Sequence, residues 1–406
     1  MAEYTMTPQG REIAAKVEKF VREVIVPFER DPRWTPHGPN PEMLDDMRAR
    51  ARGAGVLTPH IPRELGHLSH RDTSIILRAA GLSPLGPVAL NCAAPDEGNM
   101  FLLGKVATPE QKARFLEPLL EGRVRSAFMM TEPAEDNGAG SDPSMLRTSA
   151  EPDGEHWVIN GRKCFSSGLL GAKVGIVMAK TAGGATMFLV DLPNPAIQIE
   201  RVPDTLDSTL PGAHPTSRIE NLRVHRGAIL GEVGEGFKYA QVRLAPARLT
   251  HCMRWLGACI RAQEIASEYA VKRRAFGTLL IDHEGVGFKL AENRIAIQQC
   301  TLMIDWCAGI LDGGASGTTE SSMAKVAVSE ALFRIADNCV QIMGGTGVTR
   351  DTIVEQVFRE VRAFRIYDGP TEVHLWSLAK RIKKETLGRL PASGAADSAL
   401  HPGPDR

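Results

Sequence analysis

The sequence carries no net charge: 48 Lys and Arg balance 48 Asp and Glu over 406 residues. Such a chain has no overall field to draw it to nucleic acid or to an anionic lipid surface, so any anion it binds must be met by local groups. It also lacks a C-x-x-C pair. Its seven cysteines, Cys92, Cys164, Cys252, Cys259, Cys300, Cys307 and Cys339, are odd in number and widely spread, which excludes a disulfide framework and a zinc site of the usual spacing. Cys252 with Cys259 and Cys300 with Cys307 are each seven apart in helical stretches, so each pair shares a face and is expected in a core as reduced thiols. The N-terminus has no apolar run of the signal-peptide kind. The longest stretch with few charges, Leu169 to Ala179, is broken by Lys173 and is too short to cross a bilayer. A cytoplasmic protein without a membrane span is therefore expected. Nor is there a βαβ alternation. The glycine clusters GEVGEG at 231 and GGTG at 344 lack the G-x-G-x-x-G register between a strand and a helix, which argues against a doubly wound sheet with a dinucleotide turn.

What is present is the balance of a globular protein, 43% hydrophobic and 24% charged, long enough for two or three packed units. From Thr7 to about Gly122 apolar residues such as Ile13, Val17, Phe20, Val21 and Val24 recur at three-to-four spacing, the mark of amphipathic helices. Thr108, Pro109 and Gln111 read as a capping box, which predicts a helix from Pro109 to Leu120. From about Arg125 to Leu230 the period changes to two, in the runs HWVING, VGIVMAK, TMFLVDL, IQIERV and SRIENLRVH, separated by turn residues. Long helical periods return over Lys238 to Arg274, Glu284 to Leu311 and Glu320 to Met343. The predicted class is α+β, mainly α. It comprises a helical domain over 1–124, a central antiparallel β domain over 125–235, a helical bundle over 236–387 and a disordered tail over 388–406, where almost nothing apolar remains to bury.

Five stretches then stand in one order along the chain: MTEPAEDNGAGSD at 130, INGRKCFSSG at 159, YAVKRRAFG at 269, QIMGGTGVT at 341 and RIYDGPTEVH at 365. Together they make the chain resemble the acyl-CoA dehydrogenase family from about residue 8 to 385. The resemblance implies an N-terminal helical domain, a barrel-like β domain and a four-helix bundle, with FAD in the cleft. It also implies a homodimer or homotetramer whose subunits complete each other's sites. Details such as RLAPARLTHCMRWLG and YDGP are similar to a branch acting on longer or branched acyl chains.

The chemistry so implied is oxidation of a fatty acyl-CoA to the trans-2-enoyl-CoA, as in β-oxidation, with electrons passing to an electron-transfer flavoprotein. Forming an enolate from a thioester needs a base and donors to the thioester oxygen. Asp368 occupies the place of a Tyr-Glu-Gly base, one methylene or about 1.5 Å shorter than Glu, and a burial-raised pKa would suit it. Its N–H, with a ribityl hydroxyl, would form the oxyanion hole. Ala247 stands where another family type holds its base. Arg248, Ser141 and Gly369 would contact substrate. Flavin contacts would come from Met130, Thr131, Ser141, Phe165 and Ser167, the hydroxyls of Thr131 and Ser167 facing N5. Arg273 would reach a neighbouring subunit's pyrophosphate. Phe276, Glu284, Gln341, Gly345 and Glu372 would complete the cofactor set. Glu284 and Pro370 depart from the family's usual Gln and Thr, and Ala134 to Asn137 reads as an insertion near Ser141. His283 and His374 are expected at the surface or in support, without a third metal ligand. Two alternatives stand beside this: a flavoenzyme resembling nitroalkane oxidase, and a non-catalytic scaffold relative.

Overall fold

The computed structural model describes residues 6–63 and 66–389. Five longer helices open the chain, α1 (Pro8–Phe20), α2 (Pro41–Gly53), α3 (His70–Ala80), α4 (Asp96–Val106) and α5, which starts at Pro109, with a single turn at Gly86–Ala89 between α3 and α4. Thr108 and Gln111 bond reciprocally as the capping box requires. The helix they start reaches Leu120 through a wider π turn at Lys112–Leu116.

Seven strands follow: β1 (Ser126–Met129), β2 (Ser149–Asp153), β3 (His156–Lys163), β4 (Val174–Thr181), β5 (Gly184–Asp191), β6 (Ile197–Arg201) and β7 (Thr216–His225). The five alternating runs of the sequence are β3 to β7. The sheet is not purely antiparallel, as the alternation had suggested. β4 pairs antiparallel with β5, but β1 lies parallel to it over Ser126 to Met129, and β2 meets it in parallel at Ser149 and Lys180. Parallel neighbours need long connections, and here the whole 130–148 segment and the β2–β3 hairpin intervene. The remaining order, β2–β3–β7–β6, is antiparallel.

The chain then returns to helices: α6 (Gly236–Lys272), α7 (Glu284–Asp312), α8 (Thr318–Met343), α9 (Val354–Phe364) and α10 (Thr371–Arg389). The tail expected to be disordered from 388 begins inside α10, and its residues 390–406 lie outside the described part. α1 and α3 share one core with the bundle, in which Val17, Phe20, Ile76 and Leu77 pack with Leu249, Cys252, Cys259, Val328 and Phe364. Two glycines permit this. A Cβ on Gly81 would stand 1.9 Å from the Arg254 carbonyl oxygen, and one on Gly257 would stand 2.1 Å from that of Arg78, so α3 and α6 touch backbone to backbone. The sheet packs one face on α4 and α5 and fills the other with its own apolar residues. All seven cysteines are buried and unpaired. Burial pushes the thiols of Cys92, Cys300, Cys307 and Cys339 up to about 12.

Candidate active site

Asp368 lies in the turn between α9 and α10 with left-handed backbone, φ 56°, followed by Gly369 at φ 101°. Asp tolerates that region. Gly369 is required there, because a Cβ would fall 2.5 Å from Nε2 of His374. The turn is pinned through its carbonyl: Arg248 Nε donates to the Asp368 oxygen at 3.0 Å, and His374 Nε2 lies 3.2 Å from the same atom. A carbonyl only accepts, so His374 carries its proton on Nε2 and takes the Ser322 hydroxyl at Nδ1, 3.1 Å away. Burial lowers the His374 ring to about 4. His374 is thus a buried support of the turn rather than a surface residue, and Arg248 is buried too, 9% exposed.

The Asp368 carboxylate faces three basic groups. Nε2 of His251 stands 3.4 Å from Oδ2, a long contact of the kind that tightens when substrate binds. The second is Arg248. The third is Arg243, which lies over the Phe128 ring at 4.1 Å and donates to Asn99 at 2.8 Å. Burial raises the Asp368 carboxyl, but the His251 hydrogen bond and the nearby cations outweigh it and hold it well below the usual carboxylate range. The expected burial-raised base is therefore corrected: the side chain is 21% exposed, and the positive surroundings outweigh its partial burial. Burial and Arg254 hold His251 below its ordinary value, so at neutral pH it is an uncharged donor. Its ring lies 4.9 Å from Tyr367 and 5.7 Å from Phe364, and the Tyr367 hydroxyl accepts from Trp255 at 2.6 Å.

A second group of residues gathers where β1 and β3 end. The Cys164 N–H donates to the Thr131 carbonyl at 2.9 Å, placing Met130 and Thr131 beside Phe165 and Ser167. Beneath them Lys163 meets Glu132 at 2.9 Å, and Glu132 also accepts from the N–H groups of Arg147 and Thr148 at 2.7 and 2.8 Å. Phe165 has φ 48° and is 60% exposed, an aromatic face held outward on strained backbone. The Ser167 hydroxyl lies 2.7 Å from Nδ1 of His214, whose Nε2 is 2.8 Å from Asp207. Ser141 is exposed on the loop after the Ala134–Asp136 turn, the segment that read as inserted.

Of the third group, Glu372 opens α10 four residues after Asp368, whereas Arg273 is not brought to Asp368 within this chain. Arg273 follows α6, 25 residues beyond Arg248, which is about 37 Å at 1.5 Å per residue. Phe276 tips the two-residue ladder after it, 98% exposed at φ 49°. Glu284, Gln341, Gly345 and Glu372 are exposed at helix ends. His283 lies 3.1 Å from the Ala275 carbonyl and edge-on to Phe276. Among the described residues no His, Cys, Asp and Glu group could hold a metal, and no helix is long and apolar enough to cross a membrane.

Four residues at the site, His251, Arg243, Asp207 and His214, were not found in the sequence. His251 could have been: it follows Arg248 by three on one helix and so shares its face. Asp207 and His214 sit in an aperiodic loop, where no spacing rule brings them to Ser167.

A helical layer, a curled sheet and a bundle with a half-buried carboxylate at its mouth define a recurrent enzyme architecture. A chain from Mycobacterium abscessus assigned as an acyl-CoA dehydrogenase superposes with a TM-score of 0.86 at 33% identity, covering 94% of this chain and 100% of that one. Residues 7–123, 127–211 and 234–383 match the N-terminal, middle and C-terminal domains of acyl-CoA dehydrogenase. "Probable acyl-CoA dehydrogenase FadE2" of Mycobacterium tuberculosis is 36% identical over 84% of this chain and 85% of its own. The chain belongs to the acyl-CoA dehydrogenase family, and two solved structures of like fold are complexes with FADH2 and with FAD. "Acyl-CoA dehydrogenase family member 11" of Gallus gallus is 35% identical over 93% of this chain but 52% of its own length, so the chain spans about half of that curated relative.

Proposed function

We propose that the chain oxidises the α,β bond of a fatty acyl-CoA to the trans-2-enoyl-CoA, with Asp368 removing the α-proton. The observation that carries this is a half-buried carboxylate held ionised by Arg248, Arg243 and His251, on a turn whose main chain is fixed from two sides. An ionised acceptor is what proton abstraction needs. Fixing the turn through its carbonyl leaves the Asp368 N–H free to serve the thioester oxygen, where charge develops.

The residues at the ends of β1 and β3 fit a flavin. Phe165 offers a flat apolar face, and the hydroxyls of Thr131 and Ser167 flank it, suited to the polar edge of an isoalloxazine. Bound there, FAD supplies the hydride acceptor for the β-carbon. Arg248 and Gly369 would seat the thioester, and Met130 would line the ring. Ser141, exposed on its loop, would have to close inward to join them.

Arg273, Phe276, Glu284, Gln341 and Gly345 would hold the adenosine end of FAD on a neighbouring subunit, with Glu372 beside the base turn. The roughly 37 Å along α6 from Arg248, beside the base, to Arg273 supports this, since it sets the pyrophosphate contact far from this chain's own base. The assembly would be a homodimer or homotetramer of units bounded near residues 124, 235 and 387, passing electrons to an electron-transfer flavoprotein. The test is anaerobic titration of the FAD-loaded protein with acyl-CoAs of graded length. The wild type bleaches and Asp368→Asn does not; bleaching left unchanged in that variant overturns the assignment.

A further inference from the structure

Behind the Ser167 hydroxyl stand two groups that proton abstraction does not use. His214 Nδ1 is 2.7 Å from Ser167 Oγ, and its Nε2 is 2.8 Å from Asp207 Oδ2. The loop carrying them is laced to the Ser167 loop by main-chain bonds: Gly168 N–H to Ala213 O at 2.8 Å, Ser166 N–H to Pro215 O and Leu170 N–H to Gly212 O at 3.3 Å. Arg125 ties both loops, donating to Pro211 O at 2.6 Å and Leu170 O at 2.8 Å. From the other side α9 holds the Asp207 end, where Glu360 accepts from the Ser208 N–H at 2.9 Å and Arg359 donates to Leu206 O at 2.7 Å.

We propose that Asp207 and His214 form a positioning dyad that decides which way the Ser167 hydroxyl proton points, toward the flavin edge or away from it. This rests on the flavin-dependent dehydrogenase assignment above and adds a role for two residues that it leaves without one.

The logic is donor and acceptor counting. Burial raises the Asp207 carboxyl, but its hydrogen bond and charge contact with His214 and its bond with Thr205 hold it below the usual range, so it is an ionised, accept-only partner. His214 must then carry a proton on Nε2, and only Nδ1 is undecided. In a neutral ring Nδ1 is a bare acceptor, and at 2.7 Å it takes the Ser167 proton. In the imidazolium Nδ1 donates, Ser167 Oγ accepts, and the hydroxyl proton is released to the opposite side. N5 of an oxidised flavin is an acceptor and is served only in the second state.

The other ionisable groups facing this pair limit what else can titrate. Burial and the Asp207 charge raise Glu360 to about 7. Tyr367 is pushed up by burial and by the charges of Glu360 and Asp207. Arg125 and Arg359 are guanidinium cations throughout. Glu360 could imitate a His214 transition, and so could Lys163 beneath the Ser167 loop, which burial lowers to about 8; Glu360→Gln tests the first, and His214→Gln, which leaves Lys163 in place, tests the second.

The experiment follows the visible absorption of the FAD-loaded protein, without substrate, between about pH 5 and 9, the range in which histidine changes charge. The wild type should show a single-proton spectral step, and Glu360→Gln should keep it. Asp207→Asn should abolish the step and hold the low-pH spectrum, because its carboxamide can donate to Nε2 and let a neutral ring keep its proton on Nδ1. His214→Gln should also abolish it. A step that persists in His214→Gln, that disappears in Glu360→Gln, or that is missing from the wild type overturns the proposal. Should either dyad variant fail to fold, nitrogen NMR of histidine-labelled wild type decides. Nδ1 of His214 must lose its proton in the same step, and a ring protonated on Nδ1 throughout refutes the dyad. Failure of the parent assignment looks different: the wild type would take up no FAD, or acyl-CoA would leave its flavin spectrum unchanged.

Discussion

Replacing Glu132 with Gln removes the charge beneath the Phe165 and Ser167 loop, and the structure sets the size of the effect. Lys163 is fully buried and Glu132 is 4% exposed. Burial pushes Lys163 down to about 8 in spite of Glu132. Burial raises Glu132, but Lys163 and Thr148 outweigh it and bring it to about 2. In Glu132→Gln one amide face must turn its NH2 toward Lys163 or toward the N–H groups of Arg147 and Thr148, donor against donor. Breaking a buried pair from one side costs about 3–5 kcal/mol. Discharging Lys163 instead costs about 1.4 kcal/mol at pH 7, one unit below its value of about 8, and still leaves the Gln amide set against the N–H groups of Arg147 and Thr148. Hydrogen exchange of amides in 130–148 should accelerate by about two to three and a half orders of magnitude. Less than a tenfold change would refute the reasoning. The pH dependence has a definite sign. The Glu132 contribution is present above the unfolded value near 4.3 and is lost as pH falls toward about 2. The Lys163 penalty fades as pH climbs from about 8 to about 10.4, where the unfolded chain holds the extra proton.

Three further outcomes follow from the site and its supports. His251→Asn removes a donor from the Asp368 carboxylate, so the acid limb of the reduction rate against pH should move upward; an unmoved limb would show that the 3.4 Å contact does not act on the base. Gly257→Ala drives a methyl into the Arg78 carbonyl, and a lowered melting temperature, about 1–3 kcal/mol of overpacking, is expected in calorimetry. Glu360 keeps a proton to about pH 7 that the unfolded chain releases near 4.3, so stability falls as pH rises through that window. Glu360→Gln should flatten the decline in denaturant midpoints.

Much of the fold was legible because it is written in local period. The three long helices begin and end within about two residues of their apolar pattern, and the five alternating runs are five strands. β1 escaped notice because SAFM is too short to show alternation, and β2 because SAEPD is polar and contains Pro152. Their parallel pairing with β4 joins residues far apart in sequence, which no local rule reports. The Asp368 turn could be singled out because its residues are contiguous. The direction of its pKa could not, since Arg243 and His251 reach it from another helix. For the same reason, only coordinates bring Asp207 and His214 to Ser167.

The burial of every native thiol has a practical consequence. Groups pushed this far up and shut away from solvent react slowly with maleimides and mild oxidants at neutral pH. A single cysteine introduced on an exposed side chain, such as Ile382→Cys or Trp376→Cys, would therefore be the only position to take a fluorophore or spin label, and distances between labelled copies could be measured without first stripping the native seven.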